Sequence, residues 1–235
     1  MALGKVFLLP SLLTEDGLAA IPTYIADKAM ECQVFFVEEE RTARRYLKKI
    51  RKEIVIDNYE WYTMEEAASA GAAFKQKLKE GKTIGIISEA GCPGVADPGQ
   101  ALVAIAHQMN VQVIPLVGPS SILLALMASG MNGQQFRFAG YLPIDSQQRI
   151  KAIKDLEVES ARNNCTQIFI ETPYRNNQMI GSILQHAKPS TQLCIAVDLT
   201  GAREWIKTQL ILDWQKDIPD IHKRPAIFLL YSGNH

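Results

Sequence analysis

Lys82-Thr-Ile-Gly-Ile-Ile-Ser-Glu-Ala-Gly-Cys-Pro-Gly-Val-Ala-Asp-Pro-Gly99 is the stretch from which the fold can be read. The apolar run Ile84 to Ile87 stops in a loop holding Gly91, Pro93, Gly94, Pro98 and Gly99. A buried parallel strand that delivers its C-terminal end to a ligand crevice has this form. Glycine lets the backbone approach a ligand closely, and proline fixes φ and keeps the loop from joining the next helix. Working outward, Pro98 opens a helix over Gln100 to Met109, and a second strand, Val111 to Leu116, ends in Gly118-Pro119-Ser120-Ser121. Ser120 or Ser121 is suited to cap a helix over Ile122 to Ser129. One such loop would be punctuation between strand and helix; two in series at strand C-termini predict a binding site. Neither loop spells G-x-G-x-x-G or G-x-x-x-x-G-K-[ST], so the dinucleotide fingerprint and the P-loop are both absent. A nucleoside-like ligand without a triphosphate is the expectation, and a larger side chain at Gly91 is expected to fill its space.

At 235 residues the chain exceeds the usual single-domain size, and 47% hydrophobic residues support a full core. No apolar run is long enough for a membrane span, and the first ten residues lack the charged region and cleavage site of a signal peptide. A soluble cytoplasmic protein without membrane association is expected. Cys32, Cys92, Cys165 and Cys194 show no C-x-x-C spacing, and His107, His186, His222 and His235 make no ligand pattern with them. Neither a metal nor a disulfide framework is indicated, and Cys92 reads as a small residue filling a tight loop. With 25 basic against 25 acidic residues there is no global electrostatic case for nucleic acid.

Lys5 to Leu9 and Val34 to Val37 read as strands flanking a helix that starts at Pro22 or Thr23 and runs to about Glu31. Glu38-Glu-Glu40 then opens a helix whose Ala43, Tyr46, Leu47 and Ile50 share one face, with Arg41, Arg44, Arg45, Lys48 and Lys52 on the opposite one. Acids at a helix start and bases towards its end complement the macrodipole. Seven bases in the twelve residues from Arg41 to Lys52 exceed that need, so an RNA or phosphate footprint stands beside a solvated face. A variable strand or loop is expected near Ile54 to Tyr59. Thr63-Met-Glu-Glu66 reads as a capping box for a helix ending at Glu80, with Gly81 beyond it. The first half is therefore an α/β domain over residues 1–117. In residues 118–235 strands outnumber helices: Phe136 to Pro143, Thr166 to Glu171, Gln192 to Val197, Trp205 to Leu212 and Ala226 to Tyr231, with helices over Ser146 to Ala161 and Arg175 to Ala187. This predicts a second α/β domain with a mixed sheet.

Glu89-Ala-Gly-Cys-Pro-Gly-Val-Ala-Asp-Pro-Gly99, Pro115-Leu-Val-Gly-Pro-Ser120, Phe138-Ala-Gly-Tyr-Leu-Pro143 and Phe169-Ile-Glu-Thr-Pro-Tyr-Arg175 occur in an order and spacing that resemble the tetrapyrrole methylase superfamily. Within it they look most like the bacterial 16S rRNA cytidine 2′-O-ribose methyltransferases, over nearly the whole chain. The resemblance implies two α/β domains, a mostly parallel N-terminal sheet and a mixed C-terminal one, a homodimer, and S-adenosylmethionine (SAM) in the cleft between the domains. It assigns donor contacts to Ser88, Glu89, Ala90, Gly91, Val95 and Asp97 on the first loop. The other assigned contacts are Gly118, Ser120 and Ser121 on the second loop, with Tyr141 and Leu142 beyond them.

The departures concern the acceptor side. Val37-Glu-Glu-Glu-Arg41 replaces the family's Ala-Glu-Asp-Thr-Arg, Leu9-Pro-Ser-Leu-Leu13 replaces the opening Thr-Pro-Ile-Gly-Asn-Leu, and Val197-Asp-Leu-Thr-Gly201 replaces Arg-Glu-Leu-Thr-Lys. Thr200 and Glu204 are retained; the lysine expected at Gly201 is lost. Arg203, on the same side as position 201 if the segment is extended, or Arg175, would supply a substitute cation. A ribose hydroxyl is a weak nucleophile, so Glu38 or Glu171 is a candidate base, each also able to cap a neighbouring helix. Three readings compete: an rRNA ribose methyltransferase of the small subunit, a methylase of a small or tetrapyrrole-like acceptor, and a SAM-binding protein without catalysis. The first accounts for all four motifs.

Overall fold

The computed structural model describes residues 3–64 and 67–233, which divide into two compact units, Met1–Ser120 and Ser121–His235. In the first unit β1 (Val6–Leu9) leads to α1 (Tyr24–Glu31), β2 (Val34–Val37), α2 (Glu40–Ile50), β3 (Glu60–Thr63), α3 (Ala67–Lys79), β4 (Ile84–Ile87), α4 (Gly99–Gln108) and β5 (Val113–Pro115). The strands form one parallel sheet in the order β3-β2-β4-β1-β5. Every residue of β2 and β4 is buried, as unbroken apolar strands covered on both faces should be. The period of two divides them: Phe7, Leu9, Phe35 and Val37 pack in one cluster, and Val6, Val34, Phe36 and Ile84 in the other. Gly85 is required within this sheet, because a Cβ there would lie 2.5 Å from the Phe35 ring.

Near Ile54 to Tyr59, where a strand or loop is expected, the chain makes a 3₁₀ turn at Ile56–Asn58, and the strand follows at Glu60–Thr63, parallel to β2. Cross-strand aromatic pairing accounts for the shift: Trp61 stacks on Phe35 at 5.0 Å and Tyr62 on Phe36 at 4.9 Å. The acids of the capping box, Glu65 and Glu66, lie outside the described residues.

The second unit contains α5 (Ser121–Ser129), β6 (Phe136–Tyr141), α6 (Ser146–Asn163), β7 (Thr166–Ile170), α7 (Asn176–His186), β8 (Gln192–Val197), β9 (Trp205–Leu210), α8 (Ile211–Trp214) and β10 (Ala226–Tyr231). Its sheet runs β6-β7-β10-β8-β9, parallel between β6 and β7 and antiparallel elsewhere, hence mixed. Asp145 caps α6 by accepting the Gln148 N–H at 2.9 Å, and Asn164 closes the helix in the left-handed region at φ 51°. The strand expected to reach Leu212 stops at Leu210, because Ile211 and Trp214 turn together into the core as one helical turn. Among the described residues no helix is long and apolar enough to cross a membrane, and no group of three or more His, Cys, Asp or Glu residues could hold a metal ion.

Candidate functional site

The sheet order of the first unit sets the C-terminal ends of β1, β4 and β5 side by side, and three loops leave from them. Ser11 N–H donates to the Gly91 carbonyl at 2.8 Å, joining the β1 and β4 loops. The β5 loop closes on both: a Cβ at Gly118 would sit 2.0 Å from Pro10 Cβ, and Cys92 Sγ lies 3.4 Å from the Pro119 carbonyl oxygen. Gly91, at φ 73°, is hemmed in by this packing, with a built Cβ 3.1 Å from Leu13 and 3.2 Å from the Pro119 oxygen. The space expected for a ligand over Gly91 is thus taken by the chain itself. Gly94, at φ 84°, has open space where its Cβ would be.

Asp97 holds this loop in shape. Its two carboxylate oxygens accept the Gly94 N–H at 2.8 Å and the Gly99 N–H, the first of α4, at 2.7 Å. Burial pushes its carboxyl above the ordinary value, and the two backbone bonds oppose the shift. The buried Ser88 hydroxyl points back to the Ala90 and Gly91 carbonyls, 3.4 Å from each, while Ala90 and Val95 face solvent.

Glu38 and Glu89 come together. The register Val37↔Ile87 aligns the ends of β2 and β4, and Glu38 Oε1 accepts the Glu89 N–H at 2.9 Å. Capping of α2 falls to Glu39, which accepts the Arg41 N–H at 3.0 Å, so the capping role weighed for Glu38 belongs to its neighbour. Burial raises the Glu89 carboxyl above its ordinary pKa, and the charges of Glu38 and Glu39 add to the shift.

The basic residues of α2 do not form one solvated face. Arg44 pairs with Glu40 at 2.6 Å and lies 5.3 Å from the Trp61 ring; Arg51 pairs with Asp27 at 2.6 Å. Lys49 donates to the Glu15 carbonyl, and the Tyr46 hydroxyl donates to the Pro10 carbonyl at 2.5 Å, tying α2 to the β1 loop. Between α2, the β1 loop and the β4 loop lies a cavity of about 400 Å³ lined by Ser11, Thr14, Arg45, Tyr46, Lys49 and Glu89 among others. Ser11, Tyr46 and Lys49 did not stand out in the sequence. The available signal was the i, i+4 spacing of Arg45 and Lys49 beside the buried stripe Ala43, Tyr46 and Leu47.

In the second unit Ser121 is the first residue of α5, and Tyr141 ends β6 with 60% of its surface exposed. Leu142 is packed in the core, so its side chain faces away from solvent. Glu171, buried at the end of β7, accepts Arg175 Nη2 at 2.7 Å and Nε at 3.0 Å on one oxygen, together with the Thr172 N–H at 2.6 Å. Its carboxylate and Arg175 are therefore committed to each other. Arg203 is not in an extended segment: residues 198–203 form a tight turn in which Asp198 and Thr200 have φ of 47° and 72°. The same-side argument linking Arg203 to Gly201 fails accordingly. Arg203 is 78% exposed in its side chain and 3.6 Å from the buried Asp198, which Arg224 holds at 2.8 Å. Thr200 and Glu204 meet within this turn, the Thr200 N–H donating to Glu204 Oε2 at 2.7 Å.

No protein-family model matches the chain. The chain is 34% identical to ribosomal RNA small subunit methyltransferase I of Buchnera aphidicola subsp. Schizaphis graminum, over 67% of its own length and 55% of that protein's. It is 32% identical to the protein of the same name from Mesorhizobium japonicum, over 83% of this chain and 63% of that one. The Vibrio cholerae protein of that name is 37% identical over 67% of this chain and 54% of its own. The chain thus spans between 54% and 63% of the length of these relatives. Among solved structures, the methyltransferase CobJ superposes with a TM-score of 0.62 at 15% identity, covering 97% of this chain and 94% of that one. Uroporphyrin-III C-methyltransferase from Thermus thermophilus, complexed with S-adenosyl homocysteine, gives 0.57 at 13% identity, covering 97% of each. The chain therefore has the tetrapyrrole methylase fold and is, by sequence, a homologue of ribosomal RNA small subunit methyltransferase I.

Proposed function

We propose that this chain is a SAM-dependent methyltransferase that modifies a ribose 2′-hydroxyl of small-subunit ribosomal RNA, acting in the cytoplasm as a homodimer of two-domain subunits divided at residues 117 and 118. The observation that carries the donor assignment is the loop Ser88 to Gly99. It offers glycine backbone and two carboxylates, Glu89 and Asp97, and contains no lysine or arginine. That composition suits a ligand bearing positive charge, as the sulfonium and ammonium of SAM do, and disfavours a phosphate-bearing cofactor. Open space over Gly94 and the exposed residues Ala90 and Val95 leave room for such a ligand. Ser88, Gly118, Ser120, Ser121 and Tyr141 complete the proposed contacts, with Asp97 acting through the loop it holds and Leu142 through its backbone.

Bound SAM supplies an activated methyl group. The protein's part is to orient the acceptor hydroxyl and receive its proton. Glu89, with its raised carboxyl at the cavity wall, is suited to receive it, and Glu38 positions Glu89 through the backbone bond. Glu171 supports the β7 loop through Arg175, and the exposed Arg203 is available to an acceptor phosphate. The choice of ribosomal RNA over a small acceptor rests on the names of the sequence relatives. Likeness to CobJ and the uroporphyrin-III enzyme, at 15% and 13% identity, speaks for fold alone. For the homodimer, Leu123 and Met127, one turn apart on α5, present apolar side chains to solvent.

The test is transfer of labelled methyl from SAM to small ribosomal subunits isolated from cells lacking the gene, with S-adenosylhomocysteine binding measured by calorimetry. Label in rRNA and one ligand per chain are expected. Binding without label in any ribosomal particle would overturn the rRNA assignment.

A further inference from the structure

The cavity between α2 and the β1 and β4 loops shares Ser88, Glu89 and Ala90 with the donor loop and extends beyond it to α2 and the β1 loop. It is lined by Arg45, which makes no ion pair among the described residues, and by Lys49 one turn further on. Glu89 and Glu15 are the carboxylates lining it. Leu12, Leu13 and Tyr46 form an apolar wall. The Ser11 hydroxyl, in a residue 4% exposed, has no hydrogen-bond partner, and neither does the hydroxyl of Thr14. A buried hydroxyl without a partner is costly, and both hydroxyls belong to residues that line this cavity. Cations, carboxylates and apolar side chains in one cavity match a molecule that carries an anion and hydroxyls on an apolar body. The volume falls within the roughly 300–1,000 Å³ typical of small-ligand sites.

We propose that this cavity is the acceptor subsite and takes one nucleotide of a single-stranded RNA segment, with its phosphate on Arg45 and Lys49, its ribose hydroxyls towards Glu89 and its base against Leu12, Leu13 and Tyr46. The assignment rests on the methyltransferase reading above and names residues that set its specificity. Leu12 and Leu13, where the resembling family has glycine and asparagine, make the slot apolar. Lys49 is already hydrogen-bonded to the β1 loop, so the cation is held in place before the ligand arrives.

Binding of a fluorescent single-stranded RNA octamer tests this, compared in wild type, Arg45→Ala, Arg45→Lys, Lys49→Gln and, as a control on the same helix, Arg41→Ala. Loss at Arg45 or Lys49 is expected to weaken the octamer about tenfold and lower its salt slope by about 0.7 for one phosphate. Arg45→Lys should recover part of the affinity, and Arg41→Ala should lose less than Arg45→Ala. S-adenosylhomocysteine affinity, unchanged in all variants, shows that they are folded. Equal losses for Arg41→Ala and Arg45→Ala would mean a diffuse cationic field and overturn the subsite, as would wild-type RNA affinity in both pocket variants. Competition separates the sources of the chemistry: octamer displacement by millimolar free nucleoside monophosphate but not by longer RNA would overturn an RNA-strand occupant. If wild type transfers methyl to rRNA while the Arg45 and Lys49 variants do so equally well, the subsite fails and the methyltransferase reading stands. If the pocket variants lose octamer binding while wild type methylates no RNA, the subsite stands and the methyltransferase reading fails.

Discussion

The carboxylate of Glu38 accepts the backbone N–H of Glu89 at 2.9 Å, although 51 positions separate the two residues in the chain. The contact brings one negative charge beside another carboxyl that burial already disfavours as an anion. Glu38→Gln keeps an oxygen for the N–H and removes the charge, so the Glu89 pKa should fall. If Glu89 receives the acceptor proton, the acidic limb of the methyl-transfer pH profile should move to lower pH in this variant. A limb that stays in place would take Glu89 out of the proton path.

Asp97 shapes the donor loop through two backbone N–H groups. Asp97→Ala should cost about 2 kcal/mol of stability by leaving both donors without a protein partner. It should also raise the Kd for S-adenosylhomocysteine several-fold, with Asp97→Asn intermediate in both. Urea unfolding and calorimetry on the same variants measure the two effects together.

Glu171 and Arg175 form an ion pair in which the carboxylate side chain is almost fully buried. Removing the cation leaves an uncompensated buried charge, so Arg175→Ala should destabilise the protein by about 3 kcal/mol. Glu171→Gln should cost less and leave methyl transfer largely intact. A large fall in kcat for Glu171→Gln at unchanged stability would restore Glu171 as a candidate base.

Arg203 and Arg224 both approach Asp198, at 3.6 Å and 2.8 Å, but only Arg203 is well exposed. Arg203→Ala should change stability by less than about 0.5 kcal/mol and lower the affinity for small ribosomal subunits. Arg224→Ala should instead lower the urea midpoint, because Asp198 is buried and depends on it. Equal subunit affinity in wild type and Arg203→Ala would remove Arg203 from the acceptor side.

Burial among apolar neighbours pushes the Cys32 thiol from its ordinary 9.0 up to about 12. The unfolded chain therefore releases this proton first, so the thiol's contribution is complete below pH 9 and is lost as pH rises towards 12. At about 1.4 kcal/mol per pH unit, the whole window amounts to about 4 kcal/mol. Cys32→Ala should flatten the fall in urea midpoint between about pH 8.5 and 11 relative to wild type.

The strands at Val34–Val37 and Ile84–Ile87 and the glycine and proline loop after the second were legible because their information is local. An unbroken apolar run means burial on both faces, and Gly and Pro restrict φ wherever they stand. The position of β3 was not legible, since Trp61 and Tyr62 are drawn into register by rings on β2 rather than by any pattern of their own. The pairing of Glu38 with Glu89 follows from β2 lying beside β4, a neighbour relation that crossover connections set over long sequence distance. The same is true of the cavity that gathers Ser11, Arg45, Lys49 and Glu89, and of Arg224 reaching Asp198 in place of Arg203. The sequence alone determined which segments are strands and where their ends open into loops. Only the tertiary structure decided which charges meet there, because a side chain's partner depends on strand order and register, and neither is written in the residues on either side of it.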